Sequence, residues 1–171
     1  MSQFYNQIAE KYDFIFPLSP AHKTFFASEL HGKTILDVGA ATGNLTAYLL
    51  SQGYEVTAID LSKRLIAEAA KKSIVVQPLN MLDIDQLAIF NNIVCIGNTL
   101  PHLDSKTSVQ LFLQKAYGQL TQKGKLILQI VNFQKYFALQ QDDYLGNLPL
   151  IVNDKVKFER FYYLNKEGKI R

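Results

Sequence analysis

Residues 35–45, ILDVGAATGNL, carry an apolar run into a turn of small residues bracketed by Gly39 and Gly43, with Asp37 just before it. Small side chains let a ligand lie close against the backbone. Turns of this kind open the first helix of dinucleotide-binding folds, where G-x-G-x-x-G seats a pyrophosphate on the helix N-terminus. Here the run is Gly39-Ala40-Ala41-Thr42-Gly43-Asn44, so the middle glycine is alanine and the last position is asparagine. The spacing is G-x-A-x-G. A carboxylate at Asp37 opposes a pyrophosphate and favours an ammonium or a sulfonium. The expected ligand is cationic at the turn.

Other candidate residues follow further apolar runs. Asp60 lies where an acid commonly accepts hydrogen bonds from ribose hydroxyls, and Leu61 follows it. Asp83, preceded by Leu82 in NMLDI (80–84), offers an acceptor for an adenine amino group, and GNTLPHL (97–103) supplies Gly97 and Asn98. Sulfonium, ammonium, ribose and adenine together describe S-adenosylmethionine. Asp60 alone does not separate that ligand from NAD, so a nicotinamide-dependent oxidoreductase stands as a rival reading. A module that binds the methyl donor without catalysis is another.

The elements that must position these residues alternate. KTILDVG (33–39), YEVTAID (54–60), SIVVQPL (73–79), NNIVCIGN (91–98) and KLILQIVNF from Gly124 read as strands. Between them, NLTAYLLSQG (44–53) reads as a helix closed by Gly53, and KRLIAEAAKK (63–72) as a helix capped by Ser62. A third helix begins after Asp104 and Ser105 and runs to about Leu120, with Val109, Phe112, Leu113, Ala116 and Leu120 on one face. An earlier helix spans 19–32, with Ser19 as cap, Pro20 in its first turn and Gly32 at its end. Strands alternating with helices predict a doubly wound α/β fold, a Rossmann-like, mostly parallel sheet covered on both faces. Ligands of this fold sit outside the carboxyl ends of the strands, where the candidates lie.

With LDVGAATG, the acid of AID, the LD of NMLDI and GNTLPHL in hand, the chain resembles class I S-adenosylmethionine-dependent methyltransferases over about residues 4–133. Ala41 stands where that family's first motif usually has glycine. YNQIAEKYDFIF resembles the N-terminal segment of the small-molecule branch, which implies that Tyr12 lies near the donor's methionine part. CIGNTLPHL followed by LQIVNF is similar to glycine N-methyltransferase-like enzymes. The resemblance implies strand order 3-2-1-4-5, with later strands cut short. It implies a donor site drawn from Tyr12, Asp37, Gly39, Ala40, Ala41, Gly43, Asp60, Leu61, Leu82, Asp83, Gly97 and Asn98, and a small-molecule acceptor. Alignment of donor and acceptor carries most of such a reaction. His102 is the first residue to test as a base, and no catalytic residue is assigned.

The 171 residues read as one domain: a cap segment (1–32), a cofactor-binding core (33–133) and a partial substrate-side segment (134–171). In the tail, DKVKFERFYYL (154–164) with NKEG and KIR looks like a hairpin that barely returns, and the expectation is a chain shorter than its natural counterpart. Its aromatic residues Phe158, Phe161, Tyr162 and Tyr163 read as strand packing. The basic residues form no block that would suit nucleic acid, and no apolar run reaches the roughly 20 residues of a membrane helix. Cys95 is the single cysteine and reads as core. It allows no intrachain disulfide, which suits a cytoplasmic setting. His22 and His31 suggest no metal site.

Overall fold

Five strands, β1 (Thr34–Val38), β2 (Glu55–Asp60), β3 (Gln77–Pro78), β4 (Phe90–Cys95) and β5 (Leu120–Leu128), lie in one sheet of order β3-β2-β1-β4-β5. Every neighbouring pair is parallel. The computed structural model describes residues 2–134 and 142–166. It divides the chain into two compact units, Met1–Ile130 and Val131–Arg171.

The sheet is apolar on both faces, and strand alternation assigns each side chain to a face. Leu36 and Val38 of β1 join Ile59, Ile93, Cys95 and Phe112, the last contributed by α6 (Lys106–Gly118). Ile35 points the other way, onto Leu45 and Leu49 of α4 (Asn44–Ser51) and Phe26 of α3 (Pro20–Glu29). On that same face, Ala58 of β2 meets Ala69 of α5 (Lys63–Lys71). Helices therefore cover both sides, as the alternating pattern predicts.

Local signals act where the side-chain chemistry requires them. The hydroxyls of Ser19, Ser62 and Ser105 accept from the backbone amides of His22, Leu65 and Ser108, capping α3, α5 and α6. The side chain of Asn91 accepts from the amides of Lys33 and Thr34, tying the entry of β4 to that of β1.

Three expectations need correction. The strand expected over 73–79 shrinks to Gln77–Pro78, because Ser73 adopts a left-handed conformation (φ +61°) and Val75 is 79% exposed. The fifth strand starts at Leu120 rather than after Gly124, and its register against β4 shifts between Phe90 and Asn92. Leu120 thereby leaves the face of α6, where Leu113 is also exposed and the buried contacts are Phe112 and Ala116.

Among its described residues, the second unit holds two short antiparallel pairs. β6 (Tyr144–Asn147) pairs with β9 (Phe161–Tyr163), and β7 (Ile151–Val152) pairs with β8 (Lys157–Phe158). The expected strand over 154–164 is thus two strands, and their partners precede them in the chain. Aromatic rings pack on the β6–β9 pair, with Tyr144 and Tyr163 centroids 5.3 Å apart across it and Phe133 5.0 Å from Tyr162. The KIR of the expected return lies outside the described residues. Among those residues no helix is long and apolar enough to cross a membrane, and no group of His, Cys, Asp or Glu could hold a metal ion.

Cys95 is fully buried in β4, and burial, assisted by the Asp37 charge, pushes its thiol up to about 12. The thiolate is the reactive form. A thiol-specific reagent at pH 8 is expected to modify the native chain at least about tenfold more slowly than the unfolded chain. Equal rates would place Cys95 outside the core.

Candidate functional site

A cleft of about 250 Å³ opens along the carboxyl edge of the sheet. Sheet order fixes the sequence of its wall. Leu79 and Met81 follow β3, Asp60, Leu61 and Ser62 close or follow β2, Gly39 and Ala41 follow β1, and Gly97, Thr99 and His102 follow β4. Tyr5 and Tyr12 complete the lining from the N-terminal segment, α1 (Ser2–Ile8), a 3-10 turn and α2 (Tyr12–Ile15).

The turn after β1 is held by its own backbone. The amides of Gly39 and Ala40 both donate to the Ile59 carbonyl, at 2.9 and 3.0 Å, and Gly43 donates to the Ala40 carbonyl at 2.8 Å. Gly39 sits at φ +76°, and a Cβ there would strike the Thr99 side chain. Gly43 sits at φ +78° as the residue before α4, where a Cβ would come within 2.6 Å of Ile74. Both positions require glycine. Ala41 is also left-handed, at φ +52°. That conformation costs roughly 1 kcal/mol in a non-glycine residue. Its methyl is buried with Ala9 and Leu65. Burying a group of that size stabilises by about 0.8 kcal/mol, which offsets most of the strain.

Asp60 links two loops. Its Oδ2 accepts from the Ala41 amide at 2.9 Å and its Oδ1 from the Ser62 amide at 2.8 Å. Each carboxylate oxygen keeps a further lone pair for a ligand hydroxyl. Across the cleft, the Tyr5 hydroxyl and His102 Nε2 are 2.9 Å apart. Partial burial pushes the His102 imidazole below its ordinary range, against the opposing charge of Asp60. Burial raises the Tyr12 phenol well above its usual value, and Tyr5, Asp60, Asp13 and Asp37 add to the effect.

Of the residues expected to hold a donor, Tyr12, Gly39, Ala41, Asp60, Leu61 and Gly97 share this cleft. The remaining candidates stand off its surface, each for a local reason. Asp37 points to the α4 face and accepts from the Thr46 hydroxyl at 2.7 Å. Ala40 packs among Ala58, Ala69 and Val76, and Gly43 serves the turn. Leu82 packs on the core beneath α6 while Met81 takes the cleft position. Asp83 is exposed at a kink (φ −116°) in the 3-10 stretch Met81–Gln86. Asn98 is left-handed at φ +69° and leaves the wall to Gly97 and Thr99. Tyr5, Leu79, Met81 and Thr99 line the cleft without having been singled out. Leu79, Met81 and Thr99 carried a positional signal, since each lies just after a strand.

The Asp37 carboxylate is 2% exposed, and burial together with the Asp60 charge raises its pKa to about 6, with the Thr46 hydroxyl opposing. The donor set suits S-adenosylmethionine: a polarised carboxylate for hydroxyls, a turn with no side chain at Gly39, and a buried negative charge behind the turn. The buried charge is the feature that a pyrophosphate would find unfavourable.

Residues 35–124 match the methyltransferase-domain family, which spans more than half of the chain, and the protein belongs to that family. The glycine/sarcosine/dimethylglycine N-methyltransferase of Actinopolyspora halophila is 25% identical over 148 residues, 78% of this chain and 26% of that protein. The glycine/sarcosine N-methyltransferase of Halorhodospira halochloris is 30% identical over 120 residues, 64% of this chain and 45% of that protein. The chain thus spans between about a quarter and a half of the length of the curated relatives it matches. An S-adenosylmethionine-dependent methyltransferase from Clostridium acetobutylicum superposes over 99% of this chain and 79% of its own, with a TM-score of 0.68 and 18% identity. That likeness establishes the Rossmann-like fold.

A carboxyl whose folded pKa lies above its unfolded one favours folding most when protonated. For Asp37, shifted from 3.8 to about 6, this contribution is complete below about pH 4 and is lost as pH rises to about 6. Above that, the buried carboxylate costs on the order of 3 kcal/mol. Asp37→Asn keeps an acceptor for Thr46 and removes the charge, so it is expected to raise the melting temperature of the ligand-free protein by several degrees at pH 8. The gain is expected to shrink by pH 5. A gain independent of pH would show that ionisation of Asp37 costs little.

Proposed function

We propose that this chain binds S-adenosylmethionine in the cleft and transfers its methyl group to a small-molecule acceptor. The observation that carries the reading is the Asp60 carboxylate, fixed by two amides beside a turn that has no side chain at Gly39, with the Asp37 charge buried behind it. Family membership and the names of the relatives support it. When bound, the donor supplies a methyl carbon on a positively charged sulfur, a good leaving group for attack by a nucleophile.

The protein's own part is positional. Asp60 accepts from the ribose hydroxyls, and Leu61, Leu79 and Met81 form an apolar slot for the base at the β3 side. Gly39, Ala41 and Gly97 admit the methionine part beside Tyr12. Asp37 lowers the energy of the cation through its field. Tyr5, His102 and Thr99, at the β4 side, face the acceptor. Asp83 and Asn98 shape the loops that carry Met81 and Gly97. Holding donor and acceptor in line can supply roughly 7–11 kcal/mol of a barrier, so no obligatory base is assigned. His102, whose imidazole burial shifts toward the neutral form, is available where an acceptor must lose a proton before attack. A lone thiol kept reduced in the core supports a cytoplasmic setting.

Equilibrium titration with S-adenosylhomocysteine and, separately, NADH tests the reading. The first should bind, and binding of NADH alone would overturn it. Asp60→Ala should weaken S-adenosylhomocysteine by about tenfold or more, since a buried hydroxyl that loses its acceptor costs about 1–3 kcal/mol. Unchanged affinity would remove Asp60 from the ribose site. S-adenosylmethionine should also lose affinity below about pH 6, as Asp37 takes up its proton. The loss should exceed that of S-adenosylhomocysteine, whose sulfur is neutral. Parallel pH profiles would separate Asp37 from the sulfonium.

A further inference from the structure

The N-terminal segment touches the donor turn at two successive residues, and the contacts differ in kind. The Ala41 methyl, projected by its left-handed backbone, is buried with Ala9 and Leu65 beneath Tyr5 and Tyr12. The next residue, Thr42, is 1% exposed, and its hydroxyl donates to Asp13 Oδ1. A hydroxyl so deeply buried must find a partner within the protein. Asp13 Oδ2 in turn receives Lys72 Nζ at 2.7 Å, and Lys72 also reaches Asn44 Oδ1 at 3.0 Å. Asp13 is thus held between the donor turn and the residue that ends α5, immediately after Tyr12. Further along, Arg64 Nη1 donates to the Asn6 carbonyl at 3.0 Å.

We propose that Asp13 is a positioning residue: through Thr42, and with the Ala41 methyl as a docking knob, it locks the N-terminal segment onto the donor turn and sets Tyr12 over the cleft. Docking of the segment and binding of the donor are then linked, and each strengthens the other by the same factor. This accounts for alanine at a left-handed position that glycine would fill without strain. The methyl is the apolar half of the lock. The proposal rests on the donor-site reading above.

The protein has no tryptophan, so Phe4→Trp, at a residue 44% exposed in α1, places a single reporter on the segment. In that background, Asp13→Ala should weaken S-adenosylhomocysteine about tenfold and lower the tryptophan anisotropy of the ligand-free protein. Saturating ligand should restore the anisotropy. Thr42→Val should weaken binding in the same direction as Asp13→Ala, Thr42→Ser should retain it, and the double variant Asp13→Ala/Thr42→Val should be no weaker than Asp13→Ala alone, because the connection through Thr42 is already lost without Asp13. Ala41→Gly should lower the anisotropy in the same direction. Binding by the parent with unchanged affinity in Asp13→Ala, or additive losses in the double variant, would overturn the lock while leaving the donor site intact. Tighter binding by Ala41→Gly with unchanged anisotropy would overturn the role of the methyl. Should Asp13→Ala fail to fold, Thr42→Val and Thr42→Ser decide, with the same readings. A parent that binds no S-adenosylhomocysteine would instead sink the donor-site reading itself.

Discussion

The site depends on one carboxylate used twice. Asp60 ends β2, and its two oxygens receive amides from different loops, Ala41 after β1 and Ser62 at the head of α5. In a parallel sheet the loops at the carboxyl edge have no strand pairing of their own to align them. A side chain at the end of a middle strand can do so, because β2 lies beside β1 and Asp60 holds the β1 turn with one oxygen and its own following loop with the other. The remaining lone pairs of Asp60 are then fixed in direction before any ligand arrives. Such preorganisation is what a binding site needs when affinity is to come from few polar contacts.

The second element of the design is a charge placed at a cost. Asp37 could have been an apolar residue, like its neighbours Leu36 and Val38 on the same strand. Instead a carboxyl is buried against Thr46, with a pKa raised to about 6 and a second acid nearby. Burial of this kind is unfavourable to folding. On the proposed reading that cost is offset by a cation close to the turn. Stability and function pull in opposite directions at this residue, as they often do in binding sites.

How much of this was legible beforehand depended on scale. The alternation of strands and helices gave the doubly wound class, since β1, β2 and β4 are continuous apolar runs with unambiguous turns between them, whereas the strand order came with the family resemblance. β3 was overestimated because Val75 and Val76 have strand propensity, yet the left-handed Ser73 and the exposure of Val75 leave only Gln77 and Pro78 paired. Among site residues, those fixed by backbone position, such as Gly39, Asp60 and Gly97, could be found from spacing. Asp83 could not be distinguished from Met81, because a 3-10 stretch rotates its side chains by a third of a turn per residue and spacing does not reveal which one faces inward. Tyr5 was invisible for a different reason. Its partner His102 lies 97 residues away, and no local pattern announces such a pairing.

That separation has a bearing on how the chain acquires its shape. The N-terminal segment precedes all of its anchoring points in the chain, Ala41, Thr42, Arg64, Lys72 and His102. Contacts between distant parts of a chain form slowly, since a long loop must close before they reward it. The opening helix is therefore placed by residues spread from 41 to 102, and a chain cut before residue 102 would lack the partner that holds Tyr5 at the cleft.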